Sequence, residues 1–480
     1  MPQNIPYEKL ESFEGKILHP SLDIQDGILC LGFRYRIKLR EEKEIFLVAR
    51  DGNLEIIDAD SFRANDALYF FDKKGRRLAR LEERWGLTEM EKFLNDYSQL
   101  KSEAVISPQE LLAEVMKLAQ KYLELEKDID YLLLAGWAIG TYFFPIFSAY
   151  PFLNIKAPKR SGKSQCLNFL KQLCFNAVKA RPTLAALGDT VDSLRGTYLI
   201  DQADSLGRKG GEELLDILAD SYKKGGGKRR MVSFDANKKR EVVELETYGP
   251  KAFASIKELT EDLRDRCLMI PLIRSRKNFL DPDDENDSWK EIRGKIYKFL
   301  ITDYEMVLMY YTIWKIGYQR QPEITGRELE LWLPFEVILR CLGVPLTEIE
   351  VAKKRFLSQY GFSEYEPSEI EERVAKTLLD QLKNETEITL TPKRISELME
   401  PGAFGPEDTP KQRAIRVGWA IKKFNLSSEK KPRTREGFPY LFEKKKIEGI
   451  YDSYFRKIYT PSTSDRENGL NTEESNSVKI

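Results

Sequence analysis

Short strand-like runs dominate the first 86 residues: 27–37, 44–48 and 54–57, set apart by the turn pairs Asp26-Gly27 and Asp51-Gly52. No catalytic signature falls among them. From Leu87 the apolar spacing lengthens to a helical one. Ser107-Pro108-Gln109-Glu110 combines an N-cap serine, a proline at the first helical position and a capping-box glutamate. Leu111, Leu112, Val115, Met116, Ala119, Tyr122 and Leu123 then share one stripe, as in a core-facing helix. Residues 131–155 are apolar, uncharged and long enough to span a bilayer. Pro145 and Pro151 interrupt them, which predicts a buried helix, a turn and a short strand instead. Residues 150–275 alternate strand-like and helical runs, the pattern of an α/β layer sandwich. Residues 283–360 read as helical, chiefly 289–311 and 327–341. Residues 369–459 read as a small α+β module, and 461–480 as a polar tail without structure.

Length and composition set these elements in a multi-domain globular chain. At a loose ~150 residues per domain, 480 residues make about three. Charged residues reach 32%, yet Lys+Arg and Asp+Glu number 77 each, so affinity for a polyanion has to come from local clusters. His19 is the single histidine. That excludes sites built from several imidazoles and leaves any Ser/His/Asp triad dependent on it; its setting between Leu18 and Pro20 reads as structural. Five cysteines (Cys30, Cys166, Cys174, Cys267, Cys341) form no C-x-x-C pair, as expected of a reduced cytoplasmic protein. The first residues carry no basic-then-apolar leader, so no secretory signal is expected.

The strongest chemical signal follows the strand-like run 152–156. Ala157-Pro158-Lys159-Arg160-Ser161-Gly162-Lys163-Ser164 is the G-x-x-x-x-G-K-[ST] loop with alanine in its first position, and Gln165 begins an apolar helical stretch. Amides of such a loop wrap the β-phosphate of ATP, and the helix start adds roughly half a positive charge. Lys163 reaches the β/γ oxygens and the Ser164 hydroxyl ligates Mg²⁺. A strand ending in a carboxylate should complete the metal site, and Thr197-Tyr198-Leu199-Ile200-Asp201 fits. Gln202-Ala203-Asp204 follows, with Gln202 where a hydrolytic enzyme of this class carries glutamate. A positioned general base is worth ~10²–10⁴ in rate. Gln202 therefore predicts slow hydrolysis unless Asp204, Glu212 or Glu213 stands in, while MgATP binding survives.

On these residues the chain resembles the AAA+ ATPases, and among them the helicase-like proteins of phages, plasmids and integrated elements, the primase-helicase relatives. The likeness also uses Tyr248-Gly249-Pro250-Lys251-Ala252-Phe253-Ala254-Ser255-Ile256 and Asp262-Leu263-Arg264-Asp265-Arg266. It covers residues 105–275 well and the C-terminal module more loosely. It implies a three-layer P-loop core and a polar sensor 1 residue at Ser255 or Lys257, with isoleucine at 256 replacing the usual asparagine. It also implies an arginine finger, Arg264 or Arg266, entering the neighbouring subunit's site in a ring, as in a hexamer. Arg266 precedes an apolar strand, and fingers supplied in trans are worth ~10³–10⁵ in kcat. A surface salt bridge of Arg266 with Asp262 or Asp265 is the plainer alternative. No sensor 2 arginine is assigned; Arg274 and Arg276 are candidates only by proximity.

Two β-prone runs, 228–234 and 241–247, flank the tip Asp235-Ala236-Asn237-Lys238-Lys239-Arg240 and predict a hairpin. Its position matches the hairpin that superfamily 3-type hexameric helicases place in the central channel. Lys238, Lys239 and Arg240 would grip DNA phosphates there, with steep salt dependence. Residues 409–460 hold fourteen Lys/Arg against five Asp/Glu, a local charge of +9. Their order of helix, strand, helix, helix and basic loop is the winged-helix arrangement, with the third helix in the major groove and the wing on phosphate. Contacts are then expected from Lys411, Arg413, Arg416, Lys422 and Lys423 on the helix, and from Lys430, Lys431, Arg433 and Arg435 on the wing. A solvated hairpin and a protein-binding winged helix are the alternatives.

The expected chain is α/β. It runs as a β-rich N-terminal domain (1–86), a helical linker or collar (87–150), an AAA+ three-layer P-loop core (151–280), a helical lid or connector (281–368), a winged-helix DNA-binding module (369–460) and a disordered tail (461–480). The expected function is an ATP-dependent DNA helicase or replication-initiation ATPase, a homo-oligomeric ring with MgATP between subunits, DNA and a primase or other replication protein as partners, and no membrane. A DNA-binding scaffold or loader that binds ATP and hardly hydrolyses it is the second reading, with Gln202 as its signature. A small-molecule kinase is weakest, because no acceptor pocket or lid signature is evident.

Overall fold

The structure, a computed structural model, describes residues 15–38, 41–99, 106–156, 161–203, 206, 212–234, 240–255, 259–272, 275, 279–282, 287–320, 324, 326–359, 369–400, 402–405, 408–423, 426–434 and 437–454. The chain divides into two compact units, Met1–Gly361 and Phe362–Ile480.

The first unit begins with β1 (Gly15–Leu18), β2 (Leu22–Gln25), β3 (Ile28–Lys38), β4 (Glu41–Arg50), β5 (Asn53–Ile57), β6 (Ser61–Ala64), β7 (Ala67–Phe71) and β8 (Ala79–Arg80). Strands β2-β3-β4-β5 form an antiparallel meander with β8 beside β3, and β1-β7-β6 form a second small sheet. Asp26-Gly27 and Asp51-Gly52 are two-residue turns with positive φ at both positions, the conformation that joins tightly twisted strands. Asn65-Asp66 makes a third such turn, between β6 and β7. Residues 28–33 of β3 and 46–49 of β4 are buried on both faces. Leu29, Leu31, Phe33 and Leu47 join the main core, while Ile28, Cys30, Phe46 and Val48 pack on Tyr69 and Phe71 of the small sheet.

Helices α1 (Leu81–Arg84), α2 (Leu87–Ser98), α3 (Pro108–Tyr122) and α4 (Asp128–Gly140) follow. The Ser107 hydroxyl caps α3 by accepting the Glu110 amide (3.3 Å), and the stripe of Leu111, Leu112, Val115, Ala119 and Tyr122 is buried. The apolar stretch 131–155 is α4, buried round its circumference, a 3₁₀ turn over Phe144–Ile146 and the strand β9 (Phe152–Lys156). Among the described residues no helix is long and apolar enough to cross a membrane.

Next come α5 (Lys163–Leu173), β10 (Val178–Ala180), α6 (Leu184–Leu187), β11 (Tyr198–Ile200), α7 (Glu212–Asp220), β12 (Arg229–Phe234), β13 (Arg240–Leu245), β14 (Lys251–Ser255), α8 (Glu261–Arg264) and β15 (Cys267–Pro271). Four of these strands join β9 in one wholly parallel sheet of order β10-β11-β14-β9-β15. Its central strands are continuous apolar runs because helices cover both faces. Strands β12 and β13 stand apart as an antiparallel hairpin; Arg240, read as part of the tip, is instead the first residue of β13, paired with Phe234. The rest of the tip, 235–239, lies outside the described residues.

Helices α9 (Asp287–Arg320), α10 (Gly326–Cys341) and α11 (Leu346–Gln359) complete the unit, α9 running further than the sequence indicated. Two buried carboxylates fasten them. Glu336 accepts from Tyr318 Oη (2.6 Å), Trp332 Nε1 (2.7 Å) and Arg340 Nη2 (2.7 Å). Asp130 of α4 takes a bidentate pair from Arg355 of α11, 2.8 Å at both oxygens.

The second unit runs as helix Glu369–Gln381, β16 (Glu387–Leu390), helix Pro392–Leu398, helix Pro410–Lys423, β17 (Glu429–Lys430), β18 (Tyr440–Glu443) and helix Lys444–Tyr454. Its sheet is antiparallel in the order β16-β18-β17. Val374, Leu378, Ile395, Val417, Ile421, Phe442 and Ile447 make its own core. Thr391 caps the second helix by accepting the Arg394 amide (3.2 Å), with Pro392 at the first helical position.

Candidate functional site

The carboxyl edge of the parallel sheet is where residues far apart in sequence meet. Register sets Ser255 of β14 level with Lys156 of β9, and Ile200 of β11 level with Phe253, so Asp201 emerges at the same edge. With strands ~4.8 Å apart, Asp201 and the end of β9 at Lys156 are about 10 Å apart across the sheet. Ala157, Pro158, Lys159 and Arg160 lie outside the described residues; Ser161 through Gln165 are described.

Gly162 is the N-cap of α5 with φ +80°, and its carbonyl accepts the Cys166 amide (2.9 Å). A side chain there would be strained whatever the space around it. No acidic residue occupies the first turn of α5, so its amides face the loop without a competing carboxylate. Ser164 is exposed and Lys163 half-buried at that end. Gln165 donates to the Leu280 carbonyl (2.8 Å). Three buried polar atoms nearby have no hydrogen-bond partner: Ser161 Oγ, Ser255 Oγ and Asn154 Oδ1. Ser255 is only 1% exposed. Orphaned polar atoms cost stability in a folded interior; the Ser161 and Ser255 hydroxyls lie towards one sheet edge and can donate to an oxygen-rich ligand, whereas Asn154 Oδ1, mid-strand in β9, only accepts.

Asp201 is half-buried. Its Oδ1 accepts the Gln202 amide (2.9 Å) and its Oδ2 lies 3.4 Å from Lys179 Nζ, which also donates to Asn168 Oδ1 of α5 (3.0 Å). Sequence reading missed Lys179; β10 is only three residues long and carries no motif. Gln202 is exposed with φ +57°, a strained turn immediately after the strand. Asp204 lies outside the described residues; Glu212 and Glu213 open α7, Glu213 pairing with Arg229 of the hairpin.

Arg264 and Arg266 sit at the opposite edge. Cys267 pairs with Phe152, four residues before Lys156, so both arginines lie at least ~13 Å of strand from the end of β9 that leads to Ser161–Ser164. Arg266 is 8% exposed, donates to the Asp262 carbonyl and lies 5.4 Å over the Tyr222 ring. Arg264 is half-buried at the end of α8. Lys257, Arg274 and Arg276 lie outside the described residues.

The hairpin is tied at its base to the amino-terminal sheets. Asp192 Oδ1 accepts the Glu246 amide (2.9 Å), Arg76 pairs with the other oxygen, and the Asp192 carbonyl meets His19 Nε2 (2.8 Å). Burial pushes the His19 pKa well down, so this imidazole is neutral and structural. Arg240 is exposed; Lys238 and Lys239 lie outside the described residues. In the second unit Lys411, Arg416 and Lys422 are exposed on helix Pro410–Lys423. Arg416 pairs with Asp408 (2.7 Å), and half-buried Arg413 donates to the Asp408 carbonyl (2.9 Å). Lys430 and Arg433 are exposed, Lys431 is half-buried, and the Lys423 side chain and Arg435 lie outside the described residues.

No protein-family profile matches the sequence, and no curated protein does. Among solved structures the chain is similar to one described as "SCCmec type IV Cch - active helicase" (11% identity, 88% of this chain and 94% of that one, TM-score 0.34). It is similar to the NrS-1 C-terminal region in its A form without ligand (10% identity, 87% and 96%, TM-score 0.33). A full-length MCM homolog from Methanopyrus kandleri is a third (11% identity, 69% and 78%, TM-score 0.34). Likeness at this level carries no argument about what this chain does.

Proposed function

We propose that the chain is an ATP-dependent DNA helicase or replication-initiation ATPase of the AAA+ type, acting as a ring on DNA. The observation that carries this reading is the meeting of Asp201, Ser255 and the Ser161–Ser164 segment at one carboxyl edge of a parallel sheet, where such sheets bind ligands. Mg²⁺ bound with ATP supplies charge neutralisation at the β and γ oxygens. Ser164 and Asp201 are the residues to hold it. The residues from Ala157 to Gln165 cradle the phosphates, with Lys163 reaching the outer oxygens and Gly162 permitting the left-handed turn. Ser255 donates from its unpartnered hydroxyl.

Because Arg264 and Arg266 stand a strand-length from their own loop, either can act on phosphate only in a second copy. The finger is one of this pair, and Arg266 also holds α8 through the Asp262 carbonyl and packs on Tyr222. A hexameric ring then sets the hairpin residues Lys238, Lys239 and Arg240 around DNA, and a primase or other replication protein works beside it. The element order and basic surface of the second unit support a winged helix whose Lys411, Arg413, Arg416, Lys422, Lys423, Lys430, Lys431, Arg433 and Arg435 contact DNA.

Gln202, exposed beside Asp201 in place of a carboxylate, favours a second reading: a DNA-binding scaffold or loader that uses ATP to assemble and turns it over slowly. ATP turnover with and without single-stranded DNA decides between the two. Stimulated turnover that disappears in Lys163→Ala supports the motor; tight ATP binding with negligible turnover supports the scaffold; undiminished nucleotide affinity in Lys163→Ala removes both. Size-exclusion chromatography with MgATP and DNA tests the ring, and a persistent monomer refutes the trans arrangement.

A further inference from the structure

We infer that helix Pro410–Lys423 binds unpaired nucleic acid by stacking a base on Trp419. This rests on the reading of the second unit as a DNA-binding module and names the state of the strand it takes. Trp419 is 69% exposed, whereas Trp85, Trp137, Trp289 and Trp332 are each at most 1% exposed and Trp314 is covered by the Arg340 guanidinium (3.9 Å). The opposite face of the helix, Val417, Ala420 and Ile421, already supplies the core, so the fold makes no use of this indole. Lys411, Ile415, Trp419 and Lys422 recur at helical spacing on one exposed stripe, with Ile415 45% exposed.

The charge around the stripe selects a polyanion. Residues 409–460 carry fourteen Lys/Arg and five Asp/Glu, and cations bound the stripe at both ends. A second exposed aromatic, Phe438 (41%), lies under Lys430 Nζ (3.9 Å to the ring centroid) and near Arg433 (5.7 Å) on the basic strand-and-loop segment. Aromatic faces among cations are how proteins hold single strands, because every unpaired base offers a π-face and every nucleotide a phosphate. A duplex hides those faces and presents polar edges in its grooves. A wide indole flanked by Ile415 has little to match there, and an apolar protein partner would leave the lysines without counter-charge.

The test uses the full chain, a labelled oligothymidylate, a duplex of equal length and the same oligomer with abasic residues. Trp419→Ala should weaken oligothymidylate binding about 5- to 150-fold, with Trp419→Phe restoring most of it and the salt slope unchanged because no phosphate contact is lost. Duplex affinity and abasic-strand affinity should be the same for wild type and Trp419→Ala. The emission that Trp419→Phe removes should be quenched when wild type meets oligothymidylate. Salt-dependent DNA binding that ignores Trp419, with its emission unquenched, overturns this inference alone and points to a protein partner on the stripe. Equal losses on duplex and single strand overturn it in favour of groove reading. Absence of any salt-dependent DNA affinity in the wild type overturns the DNA-binding reading as well.

Discussion

Removing the Ser255 hydroxyl should separate stability from function in opposite directions. Ser255 Oγ is buried at the end of β14 and has no hydrogen-bond partner. An unsatisfied buried hydroxyl costs ~1–3 kcal/mol. Ser255→Ala relieves that cost and leaves a void of one oxygen, worth a few tenths of a kcal/mol at ~24 cal/mol per Å³. A net gain of about 1–2 kcal/mol follows for the nucleotide-free protein. For the 361-residue unit the unfolding entropy is about 0.8 kcal/mol per kelvin, so the midpoint should rise by roughly 1–3 °C. With ATP the sign reverses: a hydrogen bond to a charged oxygen is worth ~1.5–3 kcal/mol, and its loss should lower kcat about 10- to 150-fold. Differential scanning fluorimetry without nucleotide, paired with steady-state ATP turnover, reads both arms. A variant that melts lower than wild type and turns over ATP at the wild-type rate would refute the reasoning, since it would mean that the hydroxyl is bonded within the fold and does not face the phosphates.

Three further outcomes test other parts of the structure. Gln202→Glu should raise ATP turnover, by ~10²–10⁴ at most if the missing base is limiting; an unchanged rate assigns that role to another carboxylate. Lys251 is fully buried, donates to the Thr247 (2.7 Å) and Gly249 (3.0 Å) carbonyls, and burial pushes its pKa down to about 7. The unfolded chain therefore holds more protons above that pH, and wild type should gain on Lys251→Met from pH 7 to 10 at up to ~1.4 kcal/mol per unit, measured by urea unfolding; a pH-independent difference refutes it. Asp130→Ala strips Arg355 of its bidentate partner but leaves Glu126 at 2.9 Å, so unfolding free energy should fall by an amount near the low end of ~3–5 kcal/mol. A loss below ~1 kcal/mol would show that Glu126 suffices.

What the sequence disclosed depended on how local each signal is. The Asp26-Gly27 and Asp51-Gly52 turns, the Ser107 cap and the break at Pro145 are written in adjacent residues, and the structure has all of them. The glycine before α5 is local in the same way: Gly162 takes a left-handed backbone immediately before a helix. What remained hidden depends on pairing across distance. Lys179 reaches Asp201 only because β10 lies beside β11, and the level of Ser255 with Lys156 is a matter of register. The burial of Arg266 against the Tyr222 ring is likewise a long-range contact that nothing in the segment 262–266 foretells.

The double-sided burial of β3 and β4 bears on how this chain can be cut or recombined. Trp85 stacks on Tyr297 of α9, which Phe33 and Tyr142 meet edge-on, and Arg293 donates to the carbonyls of Glu83, Arg84 and Gln172. Excising the chain through α1 would strip one wall from the layers around the parallel sheet and leave Arg293 the Gln172 carbonyl alone of these three acceptors. That region and the parallel sheet thus form a single fabric, and a graft from a distant chain would have to bring its aromatic seam along.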